Sequence, residues 1–220
     1  MGESAVSAYP PPGRSELHLP AQLTILATIL LQLVLPDRLV AGPRWMWPAI
    51  EGTLLAVLFL SAPQRLEAPH SVRRMLSLSA TAVVGIANGI ALALLAHYLL
   101  HHDVPDGYEL IIAGAEIWLT NVFIFALWYW EMDRGGPGRR AAGLDGPPDF
   151  LFPQMTELEL FGSWRPQFLD YLYVGLTNAS AFSPTDTMPL SVQAKMVMGF
   201  QGLVSLVTIG LVVSRAVNIL

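Results

Sequence analysis

The sequence predicts an all-α integral membrane protein of about five transmembrane helices, with a re-entrant half-helix before the last. Hydrophobic residues make up 53% of the 220 and charged residues only 13%, a balance far from that of a soluble globular domain. The apolar residues gather into blocks near the length that crosses a bilayer. Between the last two blocks lies an aromatic segment too short to span, followed by a polar turn, over Asp170 to Pro189. In lipid, that order describes a segment that enters and returns on one side.

Residues 1–18 contain Pro10-Pro-Pro-Gly13 and almost no apolar run, and read as a flexible tail rather than a signal peptide. A three-helix membrane region is expected over 19–108. Its first span, about Leu19 to Val40, is interrupted by Pro36-Asp37-Arg38, and its second, about Met46 to Ala62, follows Trp45 and Trp47, which suit an interface. The third, Leu76 to Leu100, carries Gly85-Ile-Ala-Asn-Gly89, a small-xxx-small spacing that lets another helix approach.

A second region is expected over 109–220. Its fourth span, Glu109 to Trp130, ends in Trp128-Tyr-Trp-Glu131, an aromatic belt followed by charge. Residues 132–166, rich in Gly, Pro and charge, cannot cross lipid and are expected to form a solvated loop. Phe168, Leu169, Leu172, Tyr173 and Leu176 recur at helical spacing, and Pro166 suits a first turn, so Gln167 to Ser180 reads as a half-helix. A fifth span, about Val192 to Leu220, closes the chain.

Helix, loop, aromatic half-helix, polar turn, Asp186-Thr-Met-Pro189 and spanning helix, with Lys195 and Val207-Thr-Ile-Gly-Leu211 following, resemble the pore domain of the voltage-gated-like ion channel superfamily, which contains the potassium channels. The resemblance covers roughly the half of the chain from the fourth span onward. A closer one is to an uncharacterised family of bacterial integral membrane proteins with a similar tyrosine-rich half-helix and Asp-containing turn. The channel resemblance implies a symmetric assembly, a homotetramer, around a permeation path for an inorganic cation. Its pore-like positions here are Thr177, Asn178, Ser180, Ala181, Phe182, Ser183, Pro184, Thr185 and Asp186.

The departures limit the selectivity. A potassium filter is Thr-Val-Gly-Tyr-Gly, whose carbonyls replace the hydration shell of the ion; the corresponding residues are Ala181, Phe182, Ser183, Pro184 and Thr185. Both glycines are replaced, and Pro184 fixes its own φ and restricts Ser183. A potassium-selective carbonyl ladder is not expected. Two functions stay open: a channel-like permeation protein of unknown selectivity, and a non-conducting scaffold or partner-binding protein built on a pore-domain architecture, which Phe182 and Pro184 favour.

Each polar position has two readings. Asp186 is a carboxylate ring at a pore mouth or a cap for a turn or helix. Thr177, Asn178, Ser180 and Ser183 line a hydrated vestibule or satisfy backbone groups where the half-helix ends. Glu116 lies well inside the fourth span with Thr120 one turn on, which makes it an ion or proton site, with Asn88 or Asn121 as partners, or interhelical glue. Gln201, Gln193, Gln32 and Asn218 are weaker candidates of the same kind. His97, His101, His102 and Asp103 read as an interfacial cluster, and no metal site is assigned.

No enzyme is expected, because no nucleophile-base pair, metal set or phosphate-cradling loop is evident. No cofactor and no nucleic-acid partner is expected: the net charge is −5 with no basic patch, and the chain has no cysteine. The expected surroundings are the lipid bilayer of the cell membrane, crossed several times. Arg14, Arg65, Arg73, Arg74, Arg134, Arg139, Arg140 and Arg165 fall on the N-terminal side, against Arg38, Arg44 and Arg215 on the other. The positive-inside rule therefore makes the N-terminus cytoplasmic, whereas the channel resemblance demands the reverse.

Overall fold

Among the described residues, three helices are long and apolar enough to cross a membrane, with spans at Arg74–Leu99, Ile111–Gly135 and Val192–Ser214. The structure, a computed structural model, describes residues 19–60, 70–101, 107–141, 144, 146–162, 164–180 and 187–219. In chain order the helices are α1 Leu19–Val34, α2 Met46–Leu60, α3 His70–His101, α4 Gly107–Met132, α5 Pro137–Ala141, α6 Leu158–Phe161, α7 Phe168–Ala179 and α8 Val192–Ile219. Two short strands, β1 Phe150–Leu151 and β2 Met188–Pro189, complete the fold. The all-α class expected from composition is present.

The first helix is shorter than the span expected for it, and α2 is described over Met46–Leu60 of the expected Met46 to Ala62. α1 has 16 residues and α2 has 15, roughly 24 and 22 Å at the α-helical rise, against a hydrocarbon core of about 30 Å. The first stops at Val34 rather than Val40 because Pro36 disfavours helical geometry in the residue before it. The chain instead takes a single 3-10 turn at Asp37–Leu39.

α4 is the axis of the bundle and packs against α1, α3, α7 and α8. Its inner half is apolar nearly all round, with Val122, Ile124, Ala126, Leu127, Tyr129 and Trp130 all buried, as a helix with neighbours on every side requires. α3 and α8 both run antiparallel to it. Asn88 meets Ile117 and Gly85 approaches Ile124 on one side, and Ser205 meets Asn121 on the other. α3 buries Ser77, Ala80, Thr81, Val84, Asn88, Ala91 and Leu95, a stripe at the helical period. The close approach expected at Gly85 and Gly89 is absent at Gly89, where a Cβ would meet nothing within 4 Å. Tight contacts lie instead at Gly114 of α4, where a Cβ would clash with Val212 of α8, and at Gly175 of α7, where a Cβ would stand 3.1 Å from the Val122 carbonyl oxygen; at Gly175 glycine lets the two backbones meet.

The segment expected as a solvated loop, 132–166, is in its described part a folded cap on the end of α4. Asp133 is fully buried. Its Oδ2 accepts the Tyr171 hydroxyl at 2.6 Å and its Oδ1 accepts the Asp149 N–H at 2.8 Å. Arg140, also buried, donates to the carbonyls of Trp130 at 2.9 Å and Asp133 at 2.5 Å, and its guanidinium lies 5.5 Å from the Tyr171 ring centroid. Arg134 turns the chain with φ 55°, followed by Gly135 and Gly136 at 84° and 95°; positive φ of this kind favours glycine. Phe150 and Phe152 drop between Tyr129, Trp164 and Tyr171 in edge and tilted ring contacts. Charges and glycines that suggest solvent in the sequence are here the internal polar skeleton of a cap.

That skeleton makes a graded prediction. Tyr171→Phe removes one hydrogen bond and is expected to cost about 1 kcal/mol. Asp133→Ala strands several donors and is expected to cost about 3 kcal/mol or more. Denaturant unfolding of the purified protein in detergent measures both; equal losses would mean that Asp133 acts through Tyr171 alone.

Candidate functional site

The half-helix expected at Gln167 to Ser180 is α7, and its start is fixed by local chemistry. Gln167 caps it, and the Gln167 N–H donates to Asp170 Oδ2 at 2.7 Å, closing a capping box. Burial pushes the Asp170 carboxyl above its ordinary pKa, opposed by that N–H. The helix then follows α4 inward. The Phe168 ring meets Trp130 edge-on at 5.8 Å, Tyr171 reaches Asp133, Gly175 crosses Val122 and Ala126, and the Ala179 carbonyl accepts Trp118 Nε1 at 3.3 Å.

The chain is next described at Thr187 and is already back at the cap. β2 pairs antiparallel with β1, Phe150 opposite Pro189, and the Leu190 N–H donates to the Asp149 carbonyl at 2.8 Å. Entering beside Trp130, reaching Trp118 and returning to the Asp133 end describes an excursion into the bundle and out at the same end. Twelve residues of helix reach roughly 18 Å.

A buried polar joint locks α7 in place. Gln201 of α8 is fully buried, and its Nε2 donates to the Gly175 carbonyl at 2.8 Å. Its Oε1 accepts the Tyr129 hydroxyl of α4 and, at 2.8 Å, Asn178 Nδ2 of α7. Asn178 also reaches the Met198 carbonyl at 2.9 Å. Asn178, expected around a pore, and Gln201, expected only as an intramembrane polar residue, are thus brought together. Thr177 and Ser180 turn back on their own helix, to the carbonyls of Tyr173 at 2.9 Å and Leu176 at 2.7 Å. Ala181, Phe182, Ser183, Pro184, Thr185 and Asp186 lie outside the described residues.

A second polar group lies on the other side of α4. Glu116, Thr120 and Asn88 border one cavity between α1, α2, α3 and α4, with Gln32 of α1 on its wall. Asn88 donates to the Ile117 carbonyl at 3.3 Å. Asn121, the other expected partner of Glu116, faces away and donates to Ser205 Oγ at 2.8 Å. Gln32 donates to Glu51 of α2 at 2.9 Å. Sequence reasoning passed over Glu51, although a lone carboxylate in the apolar run Met46–Leu60 is the same signal that singled out Glu116. Tyr129 was also passed over, read as part of an aromatic belt. His102 and Asp103 lie outside the described residues, among which no three His, Cys, Asp or Glu side chains are grouped to hold a metal.

The polar joint should outweigh its individual bonds. Tyr129→Phe removes one donor and is expected to cost about 1 kcal/mol, while Gln201→Leu leaves several groups without water or partner and should cost about 2–4 kcal/mol. Detergent unfolding titrations rank the two, and a Gln201→Leu protein as stable as wild type would dismiss the joint as a lock. With family models, curated proteins and solved structures all compared, none matches this chain.

Proposed function

We propose that the chain is a multi-pass, pore-loop membrane protein of the cell membrane, a channel-like permeation protein of unassigned selectivity that works as a symmetric oligomer. The observation that carries this reading is the path of α7, which runs along α4 from Trp130 to Trp118 while the chain returns to the cap at β2. In a bilayer that path is a re-entrant half-helix, tolerated because its backbone bonds are made within the helix and its inner face packs on α4 and α8. Five crossings fit the same picture. α1 and α2 form an antiparallel pair beside α3 and α4, joined through Gln32 and Glu51, and a short span is accommodated by local thinning of the bilayer. The outward faces of α1, α7 and α8 are apolar, with Leu23, Leu30, Leu169, Leu176, Met196, Phe200 and Leu206 exposed, as lipid or neighbouring protomers require. The turn after α7, from Ala181 to Asp186, is the constriction in this reading, and it lacks both filter glycines.

A second reading, a non-conducting scaffold on the same architecture, is favoured by one observation. Gln201, Ser205 and Thr208, polar residues along α8, are buried toward the bundle. Its exposed face from Met196 to Val213 is largely apolar.

Ion flux into liposomes carrying the purified protein separates the two. The expected result is cation flux without strong preference for potassium over sodium, altered by Asp186→Asn with assembly intact. Flux indifferent to Asp186 removes that carboxylate from the path. Absence of flux from folded, inserted protein supports the scaffold.

A further inference from the structure

The cavity between α1, α2, α3 and α4 is separate from the α7 excursion. Three buried polar atoms in and behind its wall have no hydrogen-bond partner: Glu116 Oε2, Gln32 Oε1 and Glu51 Oε2. All three are acceptors. Glu116 is 8% exposed and Glu51 is 0% exposed, so water does not reach either side chain freely, and each carboxyl there is either protonated or matched by a positive partner. Gln32 fixes how the oxygens are shared. Its Nε2 is committed to Glu51 Oε1 at 2.9 Å, which leaves its Oε1 for the cavity. Asn88 is oriented in the same way, because its Nδ2 is spent on the Ile117 carbonyl and its carbonyl oxygen is left as an acceptor.

The only cation bordering the cavity among the described residues is Arg44, and it is engaged elsewhere. It bonds Asp37 at 3.0 Å and the Leu33 carbonyl, with its side chain 46% exposed. Arg44 and Leu35 also border a wider depression lined by Asp37, Arg38 and Glu109, where Arg38 is paired with Glu109. The cavity has room of about 30 Å³, enough for one or two water molecules or for a small dehydrated ion. Its donors are carboxylate, amide and hydroxyl oxygens, which suit a hard cation. One carboxylate at the wall balances one positive charge.

We propose that Glu116, Gln32 and Asn88, with Thr120 beside them, form an intramembrane binding site for a small monovalent cation of sodium's kind, held between α1, α3 and α4. Glu51 is a positioning residue: it holds the Gln32 amide so that its oxygen faces the ion. The site ties the N-terminal helix pair to α4 through the ligand, and it stands whether or not the α7 turn conducts.

The test uses the full chain in lipid nanodiscs, with radioactive sodium as the probe and choline chloride keeping ionic strength constant. Saturable binding approaching one ion per chain is expected, together with a higher thermal midpoint in sodium than in choline. Glu116→Gln should weaken binding about tenfold or more, and Glu51→Gln, which keeps a hydrogen-bond acceptor for Gln32, should weaken it less. Wild-type protein without saturable sodium binding overturns the proposal, a result that needs no variant to fold. Binding retained in Glu116→Gln, or seen with calcium alone, overturns it as well.

Discussion

In hydrocarbon, an amide that misses its partners has no water to turn to, and Gln201 is an amide in that position. Three helices therefore have to meet it at once: α8 carries it, α4 supplies the Tyr129 hydroxyl, and α7 supplies Asn178 and the Gly175 carbonyl. That requirement sets the depth of α7. Moving the half-helix by one turn would take Asn178 and Gly175 out of reach together, and Gly175 would no longer be the residue crossing the Val122 backbone. Depth, rotation and close approach are thus fixed by the same contacts.

The cap supplies the other anchor, with different chemistry. Asp133 and Arg140 are buried beside Tyr171 and satisfied by backbone and side-chain groups. An ionised group in such a place persists only with full hydrogen bonding. This changes the weight of the arginine count along the chain. Arg134 and Arg140 are buried and serve the fold, so fewer free basic residues mark the N-terminal side than the sequence suggests. Arg38 and Arg44 on the other side are likewise engaged, by Glu109 and Asp37, so the bias keeps its direction.

What was legible in the sequence was local. The start of α7 follows from Pro166 and the spacing of Phe168, Leu172 and Leu176, and the shared face of Glu116 and Thr120 follows from one helical turn. The polar joint was not legible, because Tyr129 and Gln201 lie 72 positions apart and Asp133 and Tyr171 lie 38 apart. The cap was hidden for a related reason: a buried aspartate and a solvated one look alike until their partners are known. Glu51 shows the opposite failure, since its signal was local and went unread. Gly89 misleads, where Gly85 does not, because a small residue permits close packing without requiring a neighbour there.

The pairing of Phe150 with Pro189 has a consequence for the order in which the molecule is made. Two of the fasteners of α7, β2 and Gln201 in α8, are synthesised after it, whereas α4 and the Asp133 cap precede it. A ribosome that has finished α7 has already made its partners in α4 and the cap but not the Gln201 joint, so the helix is seated in full only once α8 has been made. Its final seating is therefore a late event, and α8 acts as the latch.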